Sequence, residues 1–92
     1  MDDDELERDY LEFKKFFDAG DIERAAQIVA DYIFILTDNP KKRDIPIKSN
    51  VAMILKSSIN SPMNDIVFKY LIKRLTDLAN DNRMGDFRWR LN

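Results

Sequence analysis

The stretch FKKFFDAGDIERAAQIVADYIFIL, residues 13–36, decides how this chain folds. Upstream of it Leu6 and Tyr10 continue a series with Phe13 and Phe17 in steps of four, three and four, which is one face of a helix; Phe16 widens the stripe. Asp2 to Glu5 place negative charge where a helix N-terminus favours it. In DAGD, Gly20 suits the left-handed residue after a helix and Asp21 suits the cap of the next one. The pattern predicts helices over 4–18 and 22–37 joined by a tight turn. The second begins amphipathic, with Ala25, Ala26, Val29 and Ile33 on one side, and then turns apolar nearly all round, YIFIL having only Asp31 as a nearby charge. A helix of that kind is surrounded by other helices or by a partner chain. Pro40 stops it.

Working outward, DNPKKRDIP reads as a charged loop, and a third helix is predicted over 47–58 with Val51, Ile54 and Leu55 inward. NSPMN breaks it. Ser61 as cap and Pro62 at the first helical position predict a fourth helix over 62–81, burying Met63, Val67, Leu71, Leu75 and Leu78 with Ile66, Tyr70 and Ile72 on the flanks. Asp65–Lys69 and Lys73–Asp77 carry the spacing of surface ion pairs one turn apart. The expected fold is all-α: a small four-helix bundle or an orthogonal pair of helical hairpins, one domain over 1–84, followed by a short extended tail over 85–92. Phe13 to Ile33, with Gly20 at the turn and Ala25 and Ala26 where the helices cross, resembles a helix-turn-helix unit of the tetratricopeptide family. The resemblance covers about a quarter of the chain and does not recur one repeat later, so it implies a single close-packed hairpin rather than a repeat array.

Composition narrows the chemistry. The 92 residues contain no cysteine and no histidine, which removes disulfides, thiolate sites, the commonest metal ligand and the usual neutral-pH proton carrier. The acidic opening MDDDELERDY is the opposite of a signal peptide, and the longest apolar run is far shorter than a membrane span. A cytoplasmic protein with no membrane partner, no cofactor and no metal is expected. The net charge of −2 conceals a division: residues 1–40 carry 12 acidic and 4 basic side chains, a net of −8, and residues 41–92 carry 5 acidic and 11 basic ones, a net of +6. Such segregation concerns association rather than fold.

Three function classes follow. An enzyme is not expected: Glu5, Asp9 and Glu12 share a helical face, but that reads as a solvated helix start, and Asp31 beside YIFIL stands alone. No phosphate-binding glycine loop or nucleophile elbow is present. Nucleic-acid binding through the basic half, 41–92, is the alternative reading; Lys41, Lys42, Arg43, Lys48, Lys69 and Lys73 are the candidate patch. The expected function is a non-catalytic protein-binding module acting stoichiometrically, as an adaptor or as a regulator or inhibitor of a larger machine. A homodimer, with opposite charge halves meeting, is the related expectation. The candidate partner-binding residues are Phe87, Arg88, Trp89, Arg90 and Leu91, where aromatic and basic residues alternate as interface hot spots favour. If extended, that segment puts Phe87, Trp89 and Leu91 on one side, either capping an open end of the bundle or docking on a partner.

Overall fold

The computed structural model describes residues 3–87. They form a small all-α bundle of four helices, α1 (Asp3–Asp18), α2 (Ile22–Leu36), α3 (Ile47–Ser57) and α4 (Asp65–Asn80), followed by a 3-10 turn over Met84–Asp86. No strand occurs among the described residues. The hairpin forms as its residues dictate. Leu6, Phe13 and Phe17 are buried, with Tyr10 and Phe16 packed partly buried beside them. Gly20 takes φ +80°, and the amides of Gly20 and Asp21 donate back to the carbonyls of Phe17 (3.1 Å) and Phe16 (2.9 Å), closing the last turn of α1. The Asp21 carboxylate then accepts from the Arg24 amide at 3.3 Å and caps α2.

α2 is the centre of the fold, packing against α1, α3 and α4. Ala25, Ala26, Val29 and Ile33 are fully buried, and the two alanines keep the helix axes close. The apolar run at its end divides: Tyr32 and Ile33 face the core, whereas Phe34 is part-exposed and Ile35 is 74% exposed. The helix ends at Leu36, where the Thr37 amide closes on the Ile33 carbonyl at 2.9 Å.

Beyond that point the chain is held by side chains from far along the sequence. Thr37 Oγ1 donates to Asn80 Oδ1 at 2.6 Å, and the Asp38 amide donates to the same oxygen at 2.7 Å. Asn39 Nδ2 donates to the carbonyls of Ala79 (2.7 Å) and Asn80 (3.2 Å). The last carbonyls of a helix have no partner within it. The α2–α3 loop therefore supplies donors to the end of α4, and is fixed in return.

α4 departs from expectation in two ways. It starts at Asp65, because Asn64 and not Ser61 is the cap, its Oδ1 accepting from the Val67 amide at 2.9 Å; Pro62 lies in the preceding loop. Its buried face is also rotated. Val67 and Met63 are only partly covered, while Phe68, absent from the expected set, is fully buried, and Ile72, expected on the flank, is buried too. The reason is aromatic: the Phe68 ring lies 4.9 Å from that of Phe13, 5.5 Å from Tyr10 and 6.5 Å from Tyr32. A phenyl ring removes more apolar surface from water than a valine at the same place, so it takes the centre.

α4 ends at a left-handed residue, as α1 does. Here it is Asn82, φ 58°, with the Arg83 amide reaching the Leu78 carbonyl at 2.7 Å and the Asn82 amide reaching Ala79 at 3.1 Å. The tail expected to be extended from residue 85 instead begins within this 3-10 turn, which contains Gly85. That turn packs against both α4 and α3; its first residue, Met84, and the residue after it, Phe87, are buried.

Candidate functional site

The six basic candidates do not form one patch. Lys42, Arg43 and Lys48 gather around an open groove of about 330 Å³ between α2, the loop and α3, whose wall includes Phe34. Lys42 Nζ stands 5.0 Å above the Phe34 ring, a cation–π contact that covers part of an otherwise exposed aromatic. Lys48 Nζ approaches Glu23 Oε1 at 3.8 Å, a loose surface pair. Asp31 lies on the same wall, and Gln27 Nε2 donates to its Oδ1 at 2.7 Å. Lys41 is exposed, its amide donating to Asn39 Oδ1 at 2.8 Å.

Lys69 and Lys73 border a different groove, between α1 and α4. Its floor is Leu6, Leu36 and Ile72, its volume is about 290 Å³, and Thr76 and Asp77 close one end. At Leu6 and Lys69 it meets a narrower groove of about 170 Å³ floored by Tyr10 and Phe68, with Glu7 and Asp65 on its rim. α1 and α4 meet through the Tyr10, Phe13 and Phe68 rings, and the cleft opens beside that contact. Along its α4 rim lie Asp65, Lys69, Lys73 and Asp77, each one turn from the next. Among the described residues the ion pairs close elsewhere, at Lys14–Asp18, Arg24–Asp21, Lys48–Glu23 and Arg83–Asp86, so the two pairs expected along α4 are not made. On the adjoining row of the helix Ile66 is 72% exposed, and Tyr70 is part-exposed one turn later. Sequence reading missed this cleft because a groove depends on which helices face each other. The available signal was the charged row Asp65, Lys69, Lys73 and Asp77, which reads as surface ion pairs.

Among the carboxylates of α1, Asp9 performs a structural task. Tyr32 donates its hydroxyl to Asp9 Oδ2 across the hairpin. Burial, followed by the hydrogen bond and charge of Asp9, holds the Tyr32 hydroxyl well above the ordinary tyrosine value. No group of three or more His, Cys, Asp or Glu among the described residues is arranged to hold a metal ion.

Of the tail candidates, Phe87 is 8% exposed and belongs to the core. Arg88, Trp89, Arg90 and Leu91 lie outside the described residues. No described helix is long and apolar enough to cross a membrane. No protein-family model, no curated protein and no solved structure matches the chain.

Proposed function

We propose that this chain is a non-catalytic protein-binding module, acting stoichiometrically as an adaptor or as a regulator of a larger assembly, and that the α1–α4 cleft is its working face. One observation carries the reading: an apolar-floored cleft open to solvent, with Leu6, Leu36 and Ile72 below and the charged side chains Lys69, Lys73 and Asp77 on its rim. An apolar groove with a polar rim is the usual form of a site for another chain. The test is affinity purification from the native host with three forms of the protein. A stoichiometric partner is expected with the wild type and with Arg24→Glu on the far side of the hairpin. It should be lost with Thr76→Arg, which fills the cleft from its wall while circular dichroism stays unchanged. A partner indifferent to Thr76→Arg, or none at all, would remove the proposal.

A second reading rests on Lys42, Arg43 and Lys48 converging on one groove. Three cations beside an aromatic suit phosphates and an unpaired base. It requires a shift of random DNA or RNA at low salt that disappears with Lys42→Glu/Arg43→Glu. An unchanged mobility would sink it.

A further inference from the structure

From the order of charges along the α4 rim we infer the chemistry of the partner: an amphipathic helix of about three turns whose flank carries a cation, two carboxylates and a cation at one-turn intervals. This rests on the cleft being the working face. The rim reads Asp65, Lys69, Lys73, Asp77, negative at both ends and positive in the middle. From Asp65 to Asp77 is twelve residues, which at about 1.5 Å each makes a rim of about 18 Å. That matches three turns of a second helix, whose own charges one turn apart fall in the same rhythm. A helix fits better than an extended strand, because the described residues offer no sheet edge and the floor is a run of separate side chains, Tyr10, Leu6, Ile72 and Leu36. Apolar side chains at i, i+3 or i+4, and i+7 of the incoming helix would meet that floor.

The rim also selects against a second copy of this chain. The sequence of signs is the same read in either direction. Two copies meeting rim to rim about a two-fold axis through its centre would set Asp65 against Asp77 and Lys69 against Lys73, like against like. The complementary partner row has the same two-way symmetry, so the row fixes the register of the incoming helix and leaves its polarity to the apolar contacts.

The experiment is selection from a displayed library of fourteen-residue helices with apolar residues at the facing positions and flanks randomised among Glu, Lys and Ala. It is run against the wild type, Lys69→Glu/Lys73→Glu, and Thr76→Arg. Enrichment on the wild type of flanks reading Lys-Glu-Glu-Lys, with affinity falling about tenfold on the double variant at low salt and less so at high salt, supports the inference. Enriched helices with indifferent or Glu-Lys-Lys-Glu flanks overturn it while leaving the cleft as a binding face. Absence of any enrichment over the filled Thr76→Arg form overturns both. Sedimentation adds an independent arm: a stable dimer of the wild type that dissociates on filling the cleft would also overturn it.

Discussion

The turn between α1 and α2 and the seam between the α2–α3 loop and the end of α4 do the same job by different means. Each joins two helices and satisfies backbone groups at a helix end. The turn does so within a few residues, through Gly20 and Asp21. The seam does so across some forty residues, through Thr37, Asn39 and Asn80. A local device is visible wherever its residue types appear in order, whereas a remote one needs the tertiary fold before its parts have meaning.

Phe68 joins the two regions, since it carries α4 onto the rings of the hairpin, and its loss is expected to break the comparison altogether. Phe68→Ala should lower the unfolding free energy by about 3–5 kcal/mol, read by urea denaturation. A loss under about 1 kcal/mol would mean that the ring is not the joint. Asn39→Ala attacks the seam alone, removing its two hydrogen bonds to the Ala79 and Asn80 carbonyls, and about 2 kcal/mol should go with them. If the seam is what holds the loop, amide exchange over 38–44 should quicken in this variant while the hairpin amides keep their protection.

Tyr32→Phe tests the hairpin side. It should destabilise by about 1.5 kcal/mol near neutrality, the hydrogen bond to Asp9 being charged and partly buried. Its pH dependence has a definite sign. Because the folded protein holds the hydroxyl above its ordinary value, the contribution is complete below the unfolded value of about 10. It declines as pH rises beyond that, since the unfolded chain loses its proton first. Urea midpoints of wild type and variant should therefore stay apart by a constant amount up to about pH 10 and converge as pH rises beyond it, and parallel curves would refute the assignment.

The smallest effects lie at the two left-handed residues. Gly20→Ala should cost about 1 kcal/mol from backbone conformation alone, as nothing lies within 4 Å of the added methyl. Asn82→Gly, at φ 58°, should be neutral to stabilising by less than about 0.5 kcal/mol. Opposite signs from one conformation would show that the turn and the end of α4 share a geometry and differ in how well their residues suit it.

These same places mark how far the sequence could be read. The stripe of α1, the Gly20 turn, the Asp21 cap and the alanine face of α2 follow from spacing and residue type, and the fold class follows from them. The start of α4 did not, because Ser61-Pro62 and Asn64 are both sound beginnings and only packing chooses between them. Val67 and Phe68 stand next to each other and both continue an apolar stripe through Leu71 and Leu75; the rings of Tyr10 and Phe13 decide for Phe68. Asn39 and Asn80 carry no pattern that links them. The candidate site followed the same division: Lys42, Arg43 and Lys48, close in sequence, meet around one groove, while Lys69 and Lys73 belong with Leu6 and Leu36 from the other end of the chain.

The central place of α2 bears on how the molecule opens. α1, α3 and α4 all rest on it, and none can leave without exposing part of a helix whose inner face is entirely apolar. Its buried middle, from Ala25 to Ile33, should therefore be the last stretch to exchange amide hydrogens, at the free energy of global unfolding. Departure of any one neighbour would leave a greasy half-built remnant instead of a stable subdomain, so the chain should unfold in a single cooperative step, with coincident transitions in fluorescence and circular dichroism.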